Sequence, residues 1–169
     1  MDALALRINE VFDQVLAWAN SFPVKATNRA VGLFLALPTT LVIAIAMWLT
    51  PSEKGYGTHT QLGLGGCTMM TLTGWPCPMC GMTTTFTLMA HLRPIDAFFT
   101  QPFGVVLFSV TAFGAVVGWV DLLSAVGLNR RVLRWIGRFE QRLAIGLLIG
   151  MMGGWIYKMI ILHPHTFGL

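Results

Sequence analysis

Residues 28–49 read NRAVGLFLALPTTLVIAIAMWL, and this stretch decides the fold. After Arg29 it carries no charge, over a length that matches the roughly 20 apolar residues a membrane-spanning helix needs. Pro38 lies near its middle and predicts a bend, with neighbouring helices or the hydroxyls of Thr39 and Thr40 available to the freed carbonyl. Two further runs of the same kind follow: PFGVVLFSVTAFGAVVGWVDLL at 102–123 and LAIGLLIGMMGGWIYKMIIL at 143–162. The composition agrees, since only 11% of the 169 residues are charged, against about 25% in a soluble domain. The expected fold is an all-α integral membrane protein, a single membrane domain over residues 1–169. It comprises three transmembrane helices, amphipathic interfacial helices and one cysteine-containing exoplasmic loop.

The segments around the spans set the topology. Residues 2–20 place Leu4, Ile8, Val11, Phe12, Val15, Trp18 and Ala19 at helical spacing, with Glu10 and Asp13 breaking the apolar run that a signal peptide needs. An amphipathic helix on the membrane surface is expected there, ending at Pro23. Residues 129–142 repeat the pattern with Leu133, Ile136 and Phe139 on one stripe and arginines on the other. Arg130, Arg131, Arg134, Arg138 and Arg142 are five of the eleven basic residues, so this short connection should lie in the cytoplasm against anionic lipid. The cluster is too local for a nucleic-acid surface. Three spans with the N-terminus inside then put residues 50–101 and the C-terminal tail outside. Gly114 and Gly118 in the second span, and Gly146, Gly150 and Gly154 in the third, make small-residue faces for close helix contact. Packing within the chain is the first reading of these faces, and a membrane-protein partner the second.

The outward connection holds the chemistry. All three cysteines lie within Cys67 to Cys80, the last two inside LTGWPCPMCGMT at 72–83. Three readings stay open, in the order disulfide, metal, catalytic thiol. Two thiols in an oxidising space can bridge and fix a Gly- and Pro-rich loop. Cys67, Cys77 and Cys80 can converge on zinc or another thiolate-bound metal, with His59 as a fourth ligand. His91 follows Cys80 by eleven residues, about 16 Å along a straight helix, which removes it from the same shell. Alternatively, Cys77 and Cys80 act as a redox pair, with Cys80 activated at the start of a helix spanning roughly 81–92 and Cys67 resolving. That helix is too short to span, so an interfacial or re-entrant position is expected, with Thr84, Thr87 and His91 on its wet face. A second short element covers 95–99. Asp121 is expected to pair with arginines, Lys158 to snorkel, and His163 with His165 to bind metal only loosely.

These residues resemble a family of small bacterial membrane proteins, Domain of Unknown Function 2752. The resemblance rests on Cys67, Leu72-Thr73-Gly74, Pro76-Cys77-Pro78, Cys80-Gly81, Thr83, His91 and Pro102-Phe103-Gly104, in order, over about Cys67 to Phe108. The chain departs from the pattern at Thr84 (arginine in the family), Leu92 (glycine) and Gln101 (asparagine). The resemblance implies architecture and a home in the bacterial cytoplasmic membrane, and brings no activity with it. The expected function is therefore that of a non-catalytic membrane protein, an accessory or structural subunit with an outward cysteine knuckle. A thiol–disulfide oxidoreductase is the alternative.

Overall fold

The computed structural model describes residues 24–163. The helix expected at 2–20 lies outside the described residues, as does His165. The described chain is helical throughout, with no strand among the described residues. Its elements are α1 (Val24–Trp48), a 3-10 turn (Thr58–Leu62), α2 (Thr68–Thr73), α3 (Met82–Ala90), α4 (Pro94–Thr100), α5 (Pro102–Ser124), α6 (Leu128–Gly137) and α7 (Glu140–Leu162). Three of them, α1, α5 and α7, are long and apolar enough to cross a membrane.

Helices α1 and α5 form the tightest pair because both present bare backbone to each other. A Cβ added to Gly118 would stand 2.6 Å from the Ala36 nitrogen, and one added to Gly32 would stand 2.7 Å from the Leu122 nitrogen. Close approach of this kind substitutes van der Waals contact for the hydrophobic drive that is missing between lipid-immersed helices. Ala36 and Val117 are accordingly buried, and Trp119 Nε1 donates to Thr40 Oγ1 at 2.9 Å across the same seam. Helix α1 runs on through Pro38. The Thr39 hydroxyl bonds Leu35 and Ala36 carbonyls rather than the one Pro38 frees, that of Phe34.

At the arginine end, two polar side chains, Asp121 and Asn28, set the turn. Asp121 is fully buried, and its carboxylate accepts the amide hydrogens of Leu128 and Asn129 at 2.7 and 2.6 Å. It therefore caps α6 instead of pairing with arginines, neutralising free amides at a helix start. Asn28 donates to the Ala125 carbonyl at 3.1 Å, and Gly127, at φ +77°, leaves space for the Asn28 amide. The basic stretch expected as one helix over 129–142 is two: α6 stops at Gly137, and Glu140 opens α7, so Arg142 belongs to the third span.

Helix α7 contacts α5 at one end only. Gly150 and Gly154 leave room for the Phe103 ring, and Gly154 also for the Gln101 amide. Gly146 meets nothing within 4 Å. These neighbours make a matched test. Gly118→Ala should cost about 1–3 kcal/mol, because the added methyl meets rigid backbone. Gly146→Ala should change stability by less than about 0.5 kcal/mol. Thermal unfolding of the detergent-purified variants, side by side, measures both.

Candidate functional site

Between α1 and α5 the chain folds into a cap built from the 3-10 turn, α2, α3 and α4. Its cysteine turn is sequence-local. The Cys80 amide donates to the Cys77 carbonyl at 2.9 Å, the Met82 amide to that of Met79 at 3.1 Å, and Gly81 then turns the chain into α3. Gly81 sits at φ +86°, a conformation glycine adopts without penalty. A Cβ there would also stand 2.8 Å from the Gly55 carbonyl oxygen. The Cys-Gly step is thus fixed by both dihedral and space.

The sequence left the bridging pair open and named Cys77 with Cys80 only for redox chemistry. Cys67, just ahead of α2, has its side chain in hydrogen-bond contact with that of Cys77. Cys80, although one turn from Cys77, is buried. All three are free thiols and all three line one cavity of about 480 Å³, shared with His59, Met70 and Met79. That volume falls within the range of small-ligand pockets, roughly 300–1,000 Å³. Among the described residues, no group of three or more His, Cys, Asp or Glu side chains is gathered closely enough to hold a metal ion.

The environments of the thiols differ. The Met70 amide, helped by a bond from the Cys77 thiol and by the Met69 amide, stabilises the Cys67 thiolate and lowers its pKa. Burial pushes Cys77 up, and its bond to Cys67 adds to the shift. Burial pushes Cys80 further, to about 11, with the charge of Cys77 adding and that of Lys158 subtracting. Of the three, only Cys67, which the redox reading made the resolving partner, has its thiolate favoured by its surroundings.

Helix α3 is not wet on its threonine side. Thr84, Thr85 and Thr87 are fully buried, and the Thr84 and Thr58 hydroxyls bond each other at 2.8 Å. The Thr58 hydroxyl also accepts the Ser52 amide at 3.1 Å, so this small polar cluster ties the 3-10 turn to α3. His91 is exposed and its Nδ1 lies 2.8 Å from the Thr87 carbonyl oxygen, which makes Nδ1 the protonated nitrogen.

Sequence reasoning missed Trp155 and Tyr157 on α7 and gave Lys158 a different role. Lys158 does not snorkel into water: it is 3% exposed, and its ammonium donates to the carbonyls of Gly55 at 2.9 Å and Thr100 at 3.0 Å. Trp155 Nε1 donates to the Pro76 carbonyl at 2.8 Å and the Tyr157 hydroxyl to that of Phe99 at 2.7 Å. His163 Nε2 lies 2.9 Å from the Gly74 carbonyl oxygen, with its ring 4.7 Å from that of Trp75. The third span therefore grips the backbone of the cap from Gly55 to Thr100. The available signal was the spacing of Trp155 and Lys158, three residues apart on one helical side within the last two turns of the run.

Residues 67–115 match the family model described as Protein of unknown function (DUF2752). The matched segment runs from the first cysteine through the cap into the middle of α5. No curated protein and no solved structure matches the chain. At the family's arginine position, Thr84 spends its hydroxyl on Thr58. At its asparagine position, Gln101 is fully buried, where a side chain at Gly154 would press on its amide nitrogen at 3.0 Å.

The thiol environments predict an order of reaction in the reduced protein. Because the thiolate is the reactive form, a lowered pKa brings Cys67 into reaction at lower pH than an ordinary thiol. Cys80 should resist until the pH nears about 11. Site-resolved alkylation rates across a pH series, read by mass spectrometry, check that order.

Proposed function

We propose that this chain is a non-catalytic protein of the bacterial cytoplasmic membrane, an accessory or structural subunit of a membrane complex. On this reading its cysteine knuckle faces outward, and Cys67 and Cys77 are the pair that closes it. The observation that carries the reading is the contact between these two side chains. A bridge between them would tie the start of α2 to the turn that begins α3, in a cap already held from below by α7. An oxidising exoplasmic space is where such a bridge persists. The orientation is supported by charge: Arg130, Arg131, Arg134, Arg138 and Arg142 are all exposed and lie on α6, just after it and at the start of α7, at the opposite end of α5 from the knuckle. Beside them Leu133, Trp135 and Phe139 are exposed as well. Apolar side chains interleaved with arginines suit the surface of an anionic leaflet.

One observation favours a second reading, thiol–disulfide exchange: the Cys67 and Cys77 pair opens on a cavity large enough for a small substrate. Turnover of a disulfide or dithiol substrate by the purified chain, lost in Cys67→Ser, would support exchange and remove the non-catalytic reading.

The direct test is alkylation mass spectrometry on intact cells with an impermeant reagent, before and after reduction. Cys67 and Cys77 should become labelled together, only after reduction and without permeabilising the membrane. Cys80 should stay protected until the protein is denatured. A recovered Cys77–Cys80 linkage would contradict the pairing, and labelling that requires permeabilised cells would contradict the orientation.

A further inference from the structure

The cavity at the knuckle is lined by sulfur of two kinds. Besides the three cysteines it is lined by the methionines Met70, Met79 and Met82. Methionine usually fills irregular apolar gaps, and Met82 does so: its sulfur is packed where a side chain on Gly104 would meet it at 3.1 Å. Met79 is not filling a gap, since 61% of it is exposed. Met70 and Met79 also stand in the same relation to the two thiols. The Met70 backbone lies against the Cys67 thiol and the Met79 backbone against the Cys77 thiol, each favouring the thiolate. Each thiol thus has a methionine as its backbone neighbour, and both methionines line the shared cavity.

This donor set discriminates among metals. Zinc calls for four ligands, drawn from thiolate, imidazole and carboxylate, and the described residues gather no three such groups. Thiolate together with thioether is instead the ligand set that selects Cu(I). We propose that the reduced knuckle binds one Cu(I) ion, or another soft monovalent d10 cation, between the Cys67 and Cys77 sulfurs, with the thioethers of Met70 and Met79 completing the shell. Two thiols become thiolates on binding, so up to two protons leave as the ion enters. Bridge and ion are alternative closures of one pair, the first for the oxidised knuckle and the second for the reduced one. The proposal thus rests on the Cys67–Cys77 pairing argued above.

The test uses the full chain, purified in detergent, reduced and titrated with Cu(I) against a coloured Cu(I) chelator under anaerobic conditions. One ion per chain should be withheld from the chelator. Retention should be lost in Cys67→Ser and in Cys77→Ser, weakened in the Met70→Leu/Met79→Leu double variant, and kept in Cys80→Ser. X-ray absorption at the copper edge of the wild-type protein needs no variant, and should show a first shell of sulfur alone. Failure of the reduced wild-type chain to hold copper would overturn the site. So would retention that survives both Cys67→Ser and Cys77→Ser, displacement of the ion by Zn(II), or nitrogen or oxygen in the first shell. Because the titration is done on reduced protein, a negative result beside a positive alkylation map removes the metal site and leaves the knuckle.

Discussion

The ammonium of Lys158 is the point on which the arrangement turns. Helix α7 shares little surface with the other spans, and its hold on the molecule is made at one end, by side chains that reach the backbone of the cap. A lysine near the bilayer centre is costly, at about 2.5–3.5 kcal/mol even on insertion scales. Lys158 lies four residues from the end of α7, about 6 Å along the axis, where that cost is smaller. Two carbonyls replace its water, those of Gly55 and Thr100. They belong to opposite ends of the cap, so one charged group draws the entry and exit of a long connection together. Gly81 is trapped between them: a side chain there would collide with both the Gly55 carbonyl and the lysine. The glycine of the cysteine motif and the lysine of the third span are in this sense a single feature.

With the cap closed in this way, most of the polar groups beneath it find partners in the chain, although the Thr85 hydroxyl and the Gln101 amide are buried without one, and the three cysteines line the cavity. Thr58 and Thr84 satisfy each other beneath the turn, while Thr87 returns its hydroxyl to the Thr83 carbonyl. Burial separates Cys80 from the other two thiols, so the Cys-x-x-Cys spacing marks a turn more than a reactive pair. The side chain in contact with that of Cys77 is Cys67, ten positions upstream.

The three spans were legible because lipid imposes a length and a lack of charge that sequence displays directly. The small-residue contact between α1 and α5 was half legible: Gly118 belonged to a visible repeat, whereas Gly32 stood alone and showed its role only against Leu122. Gly146, part of the clearest repeat, meets nothing. The three cysteines and their compact loop were also evident, and the family resemblance found its match over residues 67–115. The nearness of Cys67 to Cys77 was not, because it depends on the path of the chain between them. Lys158 and Asp121 were misjudged for one reason. A charged side chain near a helix end was assigned to water or to the nearest opposite charge, and both went instead to backbone groups that the chain's own turns had left unpaired. Thr84 and Thr87 looked like a wet face because α3 is short, but α3 packs between the spans and the 3-10 turn.

The central claim is that the third span holds the cap shut, and hydrogen–deuterium exchange on Lys158→Met tests it most directly. Methionine keeps the length and apolar stem of lysine and removes the two bonds. The account predicts faster exchange across residues 50–101, with the amides of α1 and α5 keeping their wild-type protection. Unchanged protection throughout the cap in the variant would contradict it.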